Sequence, residues 1–75
     1  MIKMIVTITH TILSSKRTKD RIKQHGPEFF LKKTAVDVFG FMGVECSLLE
    51  STKDDWFGWI PTNEFNVKSV KESIN

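Results

Sequence analysis

The sequence predicts a mainly β domain, a strongly bent barrel or open sandwich of roughly four to six short strands with one short helix after the first strand. Three observations support this. Apolar and polar residues alternate from Ile2 to Ile12, a polar stretch from Lys16 to His25 is followed by Gly-Pro, and an aromatic run from Trp56 ends at Pro61. The 75 residues, 40% of them hydrophobic, suffice for a single domain spanning 1–75.

The first strand is predicted from a period of two. From Ile2 to Ile12 the even positions are apolar except for His10, whereas Thr7, Thr9 and Thr11 fall on the other side. Such alternation of β-branched residues is typical of a half-buried strand. We expect His10 to be packed near its end.

The helix is predicted between residues that favour a helix start and residues that favour a helix stop. Ser14 and Ser15 offer N-cap chemistry, and Gly26 offers a left-handed stop that Pro27 reinforces. The stretch between them is polar, so only Ile22, with Leu13, can anchor the helix to a core. His25 is expected to satisfy carbonyls at the helix end.

The middle of the chain reads as further strands. Residues 28–34 form a second strand, and residues 35–39 continue it or form a third after a bend. Gly40 and Gly43 bracket an apolar pair in a predicted hairpin turn. After it, Val44, Cys46 and Leu48 alternate with polar residues, which predicts that these three are buried.

The last third contains the aromatic run. Residues 51–55 have turn composition, and residues 56–60 return as a strand in which Gly58 suggests a bulge or a close approach of another backbone. Pro61 ends this strand in a tight turn. Phe65 and Val67 then start a short last strand, or residues 69–74 form a short helix.

The segment Gly58-Trp59-Ile60-Pro61-Thr62-Asn63-Glu64-Phe65 resembles the end of SH3 domains. The resemblance implies a small SH3-like barrel in which this segment is a strand, a single 3-10 turn and the entry into the last strand. Pro61 and Asn63 would then border a groove. The family's groove tyrosine is replaced by Glu64, and its acidic loop by a basic stretch, so the resemblance implies the fold rather than a polyproline ligand.

Charge is distributed unevenly along the chain. Residues 1–33 carry eight Lys and Arg against two acidic residues, a net charge of +6, and residues 34–75 carry three lysines against seven acidic residues, a net charge of −4. Such asymmetry orients a partner or draws the two halves together.

Several functional classes are not expected. The lone Cys46 rules out an internal disulfide and a cysteine-based zinc site, and it favours a reducing, cytoplasmic setting. Two histidines and scattered carboxylates predict no metal site, and no motif for nucleophilic, phosphate or cofactor chemistry is present, so we expect no enzyme and no cofactor. No stretch has the length or character of a membrane span or a signal peptide.

Two surfaces remain as candidates for binding. Large aromatics on both sides of one short strand are hard to bury in so small a domain, which favours an exposed patch for a protein partner or a homo-oligomer. Its predicted residues are Trp56, Phe57, Trp59, Pro61 and Asn63. The alternative is a nucleic-acid or other polyanion site on the basic helix, formed by Lys16, Arg17, Lys19, Arg21 and Lys23. Each surface also has a purely structural interpretation. The aromatic side chains would then be covered by the helix and the C-terminal tail, and the basic helix would only be solvated.

Overall fold

The computed structural model describes residues 2–74 and contains one antiparallel five-stranded sheet with one short α-helix after the first strand, as predicted. The strands lie in the order β4-β3-β2-β1-β5, so β4 and β5 form the two edges of the sheet. The elements are β1 (Ile2–His10), α1 (Lys16–His25), β2 (Glu28–Ala35), β3 (Cys46–Ser51), β4 (Phe57–Pro61), a 3-10 helix (Thr62–Glu64) and β5 (Phe65–Ile74).

One hydrophobic core joins all five strands. Partly buried side chains from α1, from β2 and from the residue before β4 pack against it, namely Ile22, Leu31 and Trp56. Each fully buried aliphatic or phenyl side chain contributes roughly 1.5–3 kcal/mol to folding. The buried core residues are Val6, Ile8, Phe29, Leu49, Ile60 and Phe65.

The period of two in β1 is confirmed at its centre, where Val6 and Ile8 are buried. The prediction that His10 is packed is wrong, because its side chain is exposed. Met4 is also exposed, and Ile12 lies beyond the strand and is fully exposed. The core covers only the middle of this nine-residue strand; the side chain of Ile2 lies outside the described residues.

The helix begins and ends where predicted. The Ser15 side chain accepts a hydrogen bond from the backbone N–H of Thr18 at 3.2 Å. The predicted left-handed stop is wrong, because Gly26 is extended (φ −108°). Glycine is needed there for space, since a Cβ would lie 2.5 Å from Cε2 of Phe29. Leu13 is 63% exposed and does not anchor the helix.

The connection between β2 and β3 is a loop. β2 continues to Ala35 and no further, so the prediction of a strand over the rest of this stretch, residues 36–39, is wrong. The predicted turn is confirmed: Gly40 and Gly43 both have positive φ, and the N–H of Val44 donates to the carbonyl of Phe41 at 3.0 Å. Met42 is almost fully exposed at this turn.

The buried face of β3 differs from the prediction. Cys46 is buried as expected, but Leu48 is only half-buried and Val44 is exposed outside the strand. Ser47 and Leu49 are buried instead. The polar Ser47 tolerates burial because its hydroxyl hydrogen-bonds the Thr62 hydroxyl at 2.8 Å.

The final segment confirms the aromatic strand and the turn, with two corrections. Gly58 makes no bulge, since β3 and β4 pair without interruption; instead, a Cβ at Gly58 would lie 2.8 Å from Cζ2 of Trp56. The alternative of a C-terminal helix is wrong, because β5 pairs with β1 along its length.

Candidate functional site

The helix and the aromatic strand line one groove, which we call the α1–β4 groove. Arg17, Thr18 and Arg21 lie on its helical side, and every residue in 56–61 lies on the other. Phe41 from the β2–β3 loop also lines it. Its volume is about 150 Å³. The two surfaces that the sequence presented as alternatives therefore meet at one site.

The structure brings together four of the five predicted aromatic-surface residues. Phe57 is 69% exposed, Trp59 and Pro61 are half-buried, and Trp56 packs partly on the core. Asn63 does not join them, because it lines a separate hollow with Glu45. Phe57 is therefore the most exposed apolar side chain among these residues, and strand alternation directs it and Trp59 to the face opposite buried Ile60.

The five predicted cations do not form one site. Arg17 and Arg21 line the α1–β4 groove, and the same two arginines line a second hollow, on α1 alone, together with Lys16 and Asp20. Lys19 lies beside His10 in another hollow, and Lys23 is exposed. Helical periodicity explains the split, since residues four apart share a face.

Trp56 packs against the C-terminal half of α1. Its indole stacks on the His25 ring, with centroids 4.9 Å apart, and meets the edge of Phe29 at 6.0 Å. The guanidinium carbon of Arg21 lies 5.3 Å from the indole centroid. A cation–π contact of this kind contributes about 0.5–1 kcal/mol at an exposed site. This contact places Arg21 beside Trp56, the residue before β4.

The turn before β4 reinforces this arrangement. The prediction that His25 satisfies helix carbonyls is wrong. Its ring instead places Nδ1 2.8 Å from a carboxylate oxygen of Asp54. The other Asp54 oxygen accepts the backbone N–H of Trp56 at 2.9 Å. These hydrogen bonds, that from His25 foremost, lower the pKa of Asp54.

Glu64 binds the N-terminal end of α1, a role that sequence reasoning missed. One carboxylate oxygen accepts the backbone N–H of Ser15 at 2.8 Å and the hydroxyl of Thr18 at 2.7 Å, and the Glu64 carbonyl accepts the hydroxyl of Ser14. Burial raises the pKa of Glu64, but the hydrogen bonds from Ser15 and Thr18 outweigh it and the net pKa is lowered. The serines before α1 were the only sequence signal for this contact.

The outer edge of β4 presents backbone groups. The Trp56 carbonyl accepts the N–H of Ser51, and the Thr62 N–H donates to Glu45. Because backbone direction alternates in an antiparallel ladder, Phe57 and Trp59 point their N–H and C=O groups away from β3. No other element within residues 2–74 hydrogen-bonds to these groups.

Cation–π geometry also occurs on the face of the sheet that carries Trp59. Lys33 Nζ lies 5.8 Å from the centroid of the Trp59 ring, and Lys3 Nζ lies 5.0 Å from that of Phe30. These lysines were not predicted as site residues. No local pattern indicated the contact of Lys33 with Trp59, because β3 lies between their two strands.

Other kinds of site are not assembled in the described part of the chain. Residues 2–74 contain no group of three or more His, Cys, Asp or Glu side chains positioned to hold a metal ion. Among the same residues, no helix has the length and apolar composition needed to cross a membrane. Comparison with protein-family models, curated proteins and solved structures finds no match for the chain.

Proposed function

We propose that this protein is a non-catalytic binding module that recognises a protein partner through the α1–β4 groove. The observation that carries the proposal is that one groove is lined both by β4, the strand of exposed Phe57 and half-buried Trp59, and by Arg17 and Arg21 of α1. Aromatic and arginine side chains are the types most enriched at energetically important positions of protein interfaces. The proposal covers two kinds of protein partner, a different protein or a second copy of the same chain.

We also propose that the domain is an SH3-like barrel. The support is the sequence of β4, a 3-10 turn over Thr62–Glu64 and β5, in the order that the resemblance implies. Glu64, where the family places its groove tyrosine, is used to dock α1. The proposed ligand is therefore not a polyproline helix.

A cytoplasmic setting is part of the proposal. Its support is Cys46, a buried free thiol whose pKa is raised by burial and, to a smaller extent, by Glu64 and Glu45. Such a thiol is unreactive and needs no oxidising compartment.

Selection from a random peptide library displayed on phage tests the protein-binding proposal. We expect the wild-type protein to enrich a consensus sequence and the Phe57→Ser variant to lose it. Val67→Ser is the matched control, because Val67 is also an exposed apolar residue but lies on β5, the opposite edge. Enrichment that survives Phe57→Ser and Trp59→Ala would contradict the proposal.

Nucleic-acid binding is the alternative, favoured by a groove that two arginines and an aromatic strand line together, since single-stranded nucleic acids pair phosphates with cations and stack bases on aromatics. Binding of short DNA and RNA fragments across a salt series separates the two. Strong binding that falls steeply with salt and is lost on Arg17→Ala and Arg21→Ala would assign the groove to nucleic acid.

A further inference from the structure

We propose that the partner of the α1–β4 groove is an extended acidic peptide segment of another protein, which adds a sixth strand along the free edge of β4. This inference rests on the proposed function and specifies its ligand. It combines the unpaired backbone of β4 with the two arginines across the groove.

The backbone of β4 supplies the first argument. Phe57 and Trp59 direct their N–H and C=O groups to the free edge, two residues or roughly 6.8 Å apart, which is the repeat of an antiparallel partner. Pro61 has the same orientation but lacks an N–H, so it offers only a carbonyl and ends the ladder. Main-chain bonding at such an edge is a general mode of peptide recognition.

The contrast between the two sheet edges supplies the second argument. Edge strands of soluble proteins are commonly protected from pairing by charged side chains. β5 carries three exposed charged residues, Lys68, Lys71 and Glu72. β4 has the sequence Phe-Gly-Trp-Ile-Pro and carries none. The edge without charged side chains is therefore the one that borders the groove, and its protection from pairing is limited to its short length and Pro61.

The charge of the groove supplies the third argument. Its lining contains Arg17 and Arg21 but no acidic residue. Within residues 2–74, neither guanidinium has a carboxylate within 4.0 Å. A volume of about 150 Å³ admits a single side chain. A carboxylate projecting from an added strand would fill it and pair with guanidinium donors.

The same charge argues against a second copy as occupant. If the β4 strands of two copies paired, each would present Phe57, Trp59 and Pro61 to the other. Neither strand would bring a carboxylate to Arg17 and Arg21. A heterologous acidic segment satisfies both the backbone and the arginines.

Synthetic versions of the selected peptides test the inference by calorimetric titration. Replacing the consensus acidic residue by its amide is expected to lower affinity roughly tenfold, as loss of a charge-assisted hydrogen bond does. Methylating single backbone nitrogens should weaken binding at every second position only, since alternate N–H groups face β4. The positions between them are the internal control.

The variants of the protein complete the test. Arg17→Ala and Arg21→Ala should reproduce the effect of the amide peptide, and Lys23→Ala on the same helix should not. Peptides that bind equally as amides, that are proline-rich, or that show no alternation on methylation would overturn this inference and leave protein binding through Phe57 intact. Failure of the wild type to enrich any peptide would overturn both, and a dimer that competes with peptide would assign the edge to a second copy.

Discussion

Glu64 positions α1 through hydrogen bonds that cross the molecule. Its carboxylate binds the backbone N–H of Ser15, the residue that caps the helix, and the hydroxyl of Thr18, which is buried. Helix N-termini leave N–H groups without intrahelical partners, so a carboxylate there satisfies a donor and interacts favourably with the helix dipole. Arg17 lies between Ser15 and Thr18 in the sequence, so its position at the groove depends on the two hydrogen bonds to Glu64.

Replacing Glu64 by alanine is expected to lower the free energy of unfolding by about 2 kcal/mol, because a capping N–H and a buried hydroxyl lose their acceptor. Urea denaturation monitored by tryptophan fluorescence measures the change. Glu72→Ala is the control, since Glu72 is exposed on β5 and should change stability by less than about 0.5 kcal/mol. Equal effects of the two substitutions would contradict the role given to Glu64.

Glu64 also predicts a pH dependence. Its pKa in the folded protein lies below the usual 4.5, because the hydrogen bonds outweigh burial, so the unfolded chain binds the proton more readily. Its contribution is fully present above pH 4.5 and is lost as the pH falls through the folded pKa. The stability difference between wild type and Glu64→Gln should therefore shrink on acidification below 4.5. Denaturation at several pH values tests this; a constant difference would contradict it.

Gly58 accommodates the Trp56 indole beneath the groove. A Cβ at this position would meet Cζ2 at 2.8 Å and Cη2 at 3.2 Å. We expect Gly58→Ala to cost about 1–2 kcal/mol through overpacking, and to cost much less in a Trp56→Leu background. A double-mutant cycle by thermal unfolding measures the coupling, and additive effects would show that the contact does not matter.

At the scale of elements, α1 distributes its cations by helical periodicity. Arg17 and Arg21 share the face toward β4, while Lys23 lies outside the groove. The helix is therefore not a uniform basic surface. Only its arginine face adjoins the aromatic strand.

Binding should reflect this division. Each of Arg17→Ala and Arg21→Ala is expected to weaken a selected peptide roughly tenfold, whereas Lys23→Ala should leave its affinity within about twofold. Surface plasmon resonance with the same peptide compares the three variants. Equal losses for all three would indicate a diffuse electrostatic effect of the helix instead of a groove.

The elements that local rules govern could be predicted from the sequence. The centre of β1 follows from its period of two, α1 from Ser15 and the Gly-Pro pair, and the 3-10 turn from Pro61. The buried face of β3 could not be predicted, because the burial of Ser47 depends on partners distant in sequence: Ile60 pairs with it across the sheet and the Thr62 hydroxyl satisfies its hydroxyl.

The candidate site was predicted in parts. Composition identified the aromatic strand and the basic helix, but their meeting depends on long-range contacts such as Glu64 with Ser15 and Asp54 with His25. No local pattern specifies such pairs. The same holds for Phe41, which enters the groove from a loop.

At the scale of the molecule, the net charge is only +2. A polyanion bound by many phosphates would lose about a thousandfold or more in affinity between about 50 and 200 mM salt. A peptide held by main-chain bonds, aromatic contact and one carboxylate should lose less than about tenfold over that range. Titrations at the two salt concentrations measure the slope, and a steep one would favour the nucleic-acid alternative.

The central claim is that α1 and β4 form one binding groove, and amide chemical-shift mapping of the ¹⁵N-labelled protein with a selected peptide tests it most directly. We predict that Arg17, Arg21, Phe57 and Trp59 shift together with a single saturation curve, and that Val67 on β5 does not move. Shifts confined to α1, or spread along β5 while Phe57 and Trp59 stay unchanged, would contradict the claim.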